Sequence, residues 1–254
     1  MSDQYVWLVW ASAFLVPWVA LFVRYPRHRR AMVLASVFTA PFGLTEPLFV
    51  PEYWNPPSLF DLAQRTGFDI ESLIFCFAIG GVAAVLVNVI TGRAVQPVAH
   101  EERHHPRHRF HRWVVASPFL IFVALIPLGW NPIYPGIAAM ISGALLTIWC
   151  RPDLSQSVAL GAGLFLAYYA VFLVGLEVTA PGYIDRVWTL DAISGVRLGF
   201  MPLEELLFAL GFGGYWAGVY EHLSWGRPVP LSEHPNPAGV HAGSPATTSR
   251  DPQG

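Results

Sequence analysis

Lysine is absent from this sequence, and all 15 basic residues are arginine. A Schiff base on a lysine amine, as a retinal protein needs, is therefore excluded. Charge of either sign is scarce: 13% of the 254 residues are charged against 54% hydrophobic, which excludes an ordinary soluble domain. The formal net charge of −2 leaves no global field for nucleic acid or an acidic ligand. Only two cysteines occur, Cys76 and Cys150, in separate apolar runs, and they are expected to pack rather than to form a disulfide. Gly161 and Gly163 follow no strand and lack a third glycine at the required spacing, so a dinucleotide fingerprint is missing as well.

What the chain has instead is long apolar runs. A bilayer core of ~30 Å needs roughly 20 apolar residues per helix. Candidates lie at about 5–23, 32–50, 70–91, 113–130, 133–150, 155–176 and 199–220. The run 113–150 is broken by Trp130, Asn131 and Pro132 into a tight hairpin, which makes the count about seven. Met1 to Tyr5 contains an acid and no base, the wrong start for a secretory signal, so the first run is expected to remain as a helix.

Arginine alone reports orientation. Arg24, Arg27, Arg29, Arg30, Arg93, Arg103, Arg107, Arg109, Arg112, Arg151, Arg227 and Arg250 fall on one side of such a bundle. Only Arg65, Arg186 and Arg197 fall on the other. The positive-inside rule then predicts a multi-pass cell-membrane protein with its N-terminus outside and its C-terminus in the cytoplasm. Residues 225–254, rich in Pro, Ser, Gly and His, read as a disordered cytoplasmic tail.

The chain also repeats itself. Ile70, Glu71, Leu73, Phe75, Gly80 and Gly81 align without a gap on Leu203, Glu204, Leu206, Phe208, Gly213 and Gly214, at an offset of 133 residues. Glu46 and Glu177 end the spans preceding each copy, and loops bearing Tyr53, Trp54 and Asp61, or Tyr183, Trp188 and Asp191, follow them. The predicted architecture is an all-α integral membrane fold of two parallel three-helix repeats joined by an extra helix. Residues 1–92 form the first repeat and 93–132 a basic, His-rich cytoplasmic connector with the joining helix. The second repeat is 133–224. Three spans reverse the chain's direction, so a fourth is needed to make the second unit parallel to the first.

Acids in apolar spans are costly and usually face the bundle interior. Glu71, Glu204 and Glu205 are the strongest such candidates, with Glu46 and Glu177 at the span edges where capping at the headgroup level is the competing reading. A carboxyl held among apolar groups resists ionisation and can donate a proton, and rings beside it can stabilise a cation. Phe75 and Phe208 stand one helical turn beyond Glu71 and Glu204. The tract bearing His100, His104, His105, His108 and His111 reads as a solvated basic connector that touches anionic headgroups, and no metal site is expected from it.

The string Pro202, Leu203, Glu204, Glu205, Leu206, Leu207, Phe208, set in a duplicated three-helix architecture, resembles the lycopene cyclase domain family of membrane carotenoid cyclases. The first copy departs from it, with Asp69, Ile70, Glu71 and Ser72 at the matching positions. The resemblance implies a redox-neutral, acid-catalysed ring closure of lycopene or a related linear C40 carotenoid to γ- or β-carotene, β being the commonest outcome in fused members. It implies Glu204 as proton donor and Glu71 as its counterpart, with Glu205 or Glu177 taking the departing proton or tuning the acid. Phe208, Phe75 and Trp188 would shield the cation, with Tyr183 and Glu46 beside the substrate. Membrane lipid and other carotenoid-pathway enzymes are the implied partners. No cofactor is called for, and a need for reduced flavin stays open. A small transporter or channel would also use parallel repeats and intramembrane acids, but the acids here cluster at one end and no span pair is interrupted at mid-membrane. A carotenoid hydratase would hold water beside the cation, and a ketolase would need further histidine clusters.

Overall fold

The computed structural model describes residues 2–233. It is helical nearly throughout. Among the described residues, six helical segments are long and apolar enough to cross a membrane: α1 (Asp3–Arg24), α2 (Pro26–Leu48), α3 (Ile70–Ile90), α4 (Pro106–Leu128), α5 (Ile133–Cys150) and α6 (Pro152–Thr179). A seventh, α7 (Leu203–Ser224), has comparable length, but its glycines and three glutamates lower its hydropathy. The architecture is that of an all-α membrane protein.

Prolines explain the irregularities. Pro17 cannot donate to the carbonyl of Ala13, and α1 is interrupted there between Ala13 and Leu15. Pro41 and Pro47 remove two donors from the last third of α2, and Ala40–Leu48 tightens into 3₁₀ geometry. Gly43 lets this segment lie against α3: a Cβ there would fall 2.7 Å from the Leu73 nitrogen.

The ends of the helices sort into two groups. At one end, β1 (Arg93–Pro97) after α3 pairs antiparallel with β4 (Gly226–Pro230) after α7, in the register Ala94 to Val229. Arg151, between α5 and α6, joins this end by donating to the Gly226 carbonyl at 2.6 Å. At the other end, the loops after α2 and α6 meet in a single bridge between Trp54 and Trp188. Asn131, in the α4–α5 turn, ties both loops down by donating to the Glu52 and Ala192 carbonyls. A short hairpin of β2 (Arg197–Leu198) and β3 (Met201–Pro202) precedes α7.

Two expectations need correction. The last span begins at Leu203, not 199, because residues 197–202 are taken by that hairpin. The segment from 226 is ordered through strand β4, since β1 supplies the partner that its own Pro-rich composition lacks; residues 234–254, with His234, His241 and Arg250, lie outside the described residues.

Small residues let α6 and α7 approach closely. In a bilayer, helices gain little from burying apolar surface against each other, so close backbone approach through glycine carries the packing. A Cβ at Gly161 of α6 would fall 2.6 Å from the Gly213 carbonyl oxygen of α7 and would also strike Ala217. Gly161→Leu is therefore expected to destabilise the bundle by roughly 1–3 kcal/mol or more. Fluorescence-detected size exclusion of the detergent-solubilised variant should show a several-fold loss of the monodisperse peak, whereas Gly163→Leu, where a Cβ meets nothing, should leave it intact.

Candidate functional site

An apolar cavity of about 470 Å³ lies between the helices near the end that carries the Trp54 and Trp188 loops. Its volume is that of a small-molecule site. Its walls are mainly aromatic, and among the described residues its lining contains two carboxyl groups, Glu46 and Glu205, and no arginine or histidine.

Glu205 enters from the first turn of α7 and is buried among hydrogen-bond donors. Tyr53 and Trp188 donate to its Oε1, the indole nitrogen at 2.7 Å, and Tyr169 of α6 donates to its Oε2 at 2.6 Å. The indole N–H can only donate. Tyr53, in the loop after α2, is held well above the ordinary phenol range by burial and by the Glu205 charge, so it keeps the proton it donates. Three converging donors suit an anion even in apolar surroundings.

Glu46 is placed differently. It leaves the 3₁₀ segment of α2, is 7% exposed, and its buried Oε1 has no partner. Another acid, Asp69, is close enough to act on it, and its own carboxyl is pushed up by burial. Asp69 caps α3 by accepting from the Ser72 nitrogen.

Of the residues expected at the site, the structure brings Glu205, Glu46, Phe208, Phe75 and Trp188 together on the cavity wall. Phe208 and Phe75 flank Tyr169 at ring separations of 5.6 and 6.4 Å. Glu204, Glu71, Glu177 and Tyr183 are not part of the lining. Glu204 instead accepts from the Tyr134 hydroxyl and the Ser194 nitrogen, each at 3.0 Å. Glu71 accepts from the Leu59 nitrogen at 2.7 Å, and Glu177 from the Gly182 nitrogen at 2.9 Å. Each of these three ties down a loop; adjacent residues on a helix point ~100° apart, so Glu204 and Glu205 serve different surroundings. Tyr183 is fully buried in the loop after α6.

Tyr53, beside Trp54 in the first repeat's loop, also lines the site, as do Tyr169 and Trp7, which sit in uniformly apolar spans and carry no signal of their own in the sequence.

The cavity reaches the outer surface of the bundle between α2 and α4. Phe42 and Phe119 stack there at 5.7 Å, and Phe49 and Phe122 at 6.5 Å. Val123, also on the lining, is 68% exposed. A lipid-soluble chain can pass a seam made of side chains without crossing water.

No curated protein and no solved structure matches the chain. Residues 131–223, which span α5, α6 and most of α7 and carry Glu205, match the family model described as lycopene cyclase.

Proposed function

We propose that the protein is a membrane-embedded lycopene cyclase that closes the ψ-ends of lycopene to β-rings, giving γ- and then β-carotene. The observation that carries this reading is the pairing, within one aromatic cavity, of a carboxyl at Glu46 whose buried Oε1 has no hydrogen-bond partner with a triply hydrogen-bonded one at Glu205. Two carboxyls in unlike surroundings divide naturally into a proton donor and a proton acceptor.

Glu46 is the donor. As an anion it would be buried without a hydrogen bond to Oε1, so the neutral acid is the form its surroundings accommodate. It delivers its proton to C2 of the terminal C1=C2 bond, leaving a tertiary cation at C1. The C5=C6 π bond attacks C1, the C1–C6 bond forms, and the charge moves to C5. Glu205, held as a carboxylate, attracts this cation and accepts the C6 proton, and the new C5=C6 bond completes the β-ring. One proton enters and one leaves, with no change in oxidation state. The rings of Phe75, Phe208 and Trp188 face the charge as it moves and exclude water, which would otherwise trap it as an alcohol.

The cavity accommodates one end group with the first part of the polyene, and the rest of the chain lies through the seam between α2 and α4. We further read the two halves as a duplication. Asn88 donates to Glu221 at 2.6 Å, and these residues, like the starts of β1 and β4, are 133 positions apart, the offset of the sequence repeat. The arginine distribution orients the N-terminus outward, which puts the cavity in the outer half of the membrane.

Expression in a lycopene-accumulating bacterium tests the reading. Red lycopene should give way to yellow monocyclic and bicyclic carotenes, identified by chromatography and absorption. Unchanged lycopene in cells whose membranes contain the folded protein would refute it.

A further inference from the structure

The end of the bundle remote from the cavity holds a second cluster of chemistry-bearing side chains. Cys150, the last residue of α5, is fully buried. The Nδ1 atoms of His108 and His111, at the start of α4, approach its sulfur at 3.7 and 3.8 Å. The three donor atoms lie within 4.8 Å of one another. A tetrahedral zinc with ordinary Zn–S and Zn–N bonds separates sulfur from nitrogen by about 3.5 Å. The donors therefore stand almost at coordination distance.

Hydrogen bonding alone is a weaker account. A thiol has one proton, so it can donate to only one of the two imidazoles, and sulfur is a poor acceptor for the other. The rings are also held in place. Trp225 stacks on His111 at 3.8 Å and meets His108 edge-on at 5.2 Å, and it does so with a left-handed backbone, φ 54°, uncommon for so bulky a residue. A third imidazole borders the cluster: the His222 ring meets that of His111 edge-on at 4.4 Å, and its buried Nε2 has no partner. The neighbouring cation, Arg151, is bound by both oxygens of Asp153 at 2.8 and 2.7 Å, which offsets the repulsion it would exert on a metal.

We propose that His108, His111 and Cys150 form a binding site for a zinc-class divalent cation, one that fastens the arginine-rich connector to the end of α5. Two imidazoles and a thiolate are a zinc-type donor set, with a fourth tetrahedral position for water or His222. The role is structural: the site is at the opposite end from the cavity and takes no part in ring closure.

The test uses the full-length chain purified in detergent without a polyhistidine tag. Elemental analysis should find close to one zinc per chain. Cobalt titration of the metal-stripped protein should produce a thiolate-to-cobalt charge-transfer band. Cys76→Ser leaves Cys150 as the sole cysteine and should keep both signals, so the result does not depend on whether Cys150→Ser folds. Cys150→Ser and His111→Ala should each weaken binding by about tenfold or more. The proposal is overturned if wild type and Cys76→Ser give no charge-transfer band, or if Cys150→Ser and His111→Ala retain zinc at the wild-type level, which would assign the metal to the exposed histidines of the connector.

Discussion

Glu46→Gln should lower ring closure by about 10²–10⁴-fold, the usual worth of a positioned general acid, while the protein still reaches the membrane in folded form. Glutamine fills the same space and loses only the acidic proton. Because Glu46 Oε1 has no partner to lose, the substitution should cost little stability. Glu204→Gln is the contrasting variant. Its amide oxygen can still accept from Tyr134 and Ser194, so activity should fall less than about tenfold, the consequence of a loosened loop rather than of a missing proton. Pigment conversion in lycopene-accumulating cells, normalised to membrane protein, separates the two. Equal and complete loss in Glu204→Gln would move the acid back to the residue the family motif points to.

That Glu46 lines the cavity and Glu204 does not marks where the sequence stops being readable. The apolar runs that form the helices, the hairpin at Asn131 and the gathering of Glu46, Glu71, Glu177, Glu204 and Glu205 toward one end all follow from hydropathy and charge, which are local properties; Glu221, buried at the other end of α7, carries no such mark. Which of Glu204 and Glu205 faces the cavity depends on the rotation of α7 about its axis, and that rotation is set by Gly213 seating against Gly161, more than 50 residues away. For Glu46 the helical wheel itself fails. The 3₁₀ stretch from Ala40 to Leu48 turns ~120° per residue instead of ~100°, so the wheel cannot decide between a cap at the headgroup level and a place beside the substrate, and the structure puts Glu46 in the interior. Tyr169 is invisible for a different reason: with 14% aromatic residues, a tyrosine in an apolar span carries no mark until a carboxylate is found 2.6 Å from its hydroxyl. Likewise Cys150 reads as packing until the fold sets it beside two histidines from the connector.

Glu205→Gln should lower activity by about 10²–10³-fold, and the route of the loss should differ from that of Glu46→Gln. Removing the donor stops the reaction before any bond is made, so lycopene alone should accumulate. Removing the anion leaves a cavity that can still protonate the end group but cannot hold or quench the C5 cation well. Water or an adjacent C–H bond then competes, so the small residual product should contain hydroxylated or ε- and γ-ring species absent from wild type. The stability argument is as specific. In Glu205→Gln the amide oxygen can accept from Trp188 and Tyr53, and the Tyr169 hydroxyl can turn to accept from the amide nitrogen, so each of the three groups keeps a hydrogen bond to residue 205. In Glu205→Leu all three lose theirs at about 1–3 kcal/mol each, enough to remove most of the stability of an ordinary domain. Folded but inactive Glu205→Gln beside unfolded Glu205→Leu, compared by size exclusion and pigment analysis, is the expected pair of results. An active Glu205→Gln with an unaltered product would show that the carboxylate organises the cavity without meeting the cation.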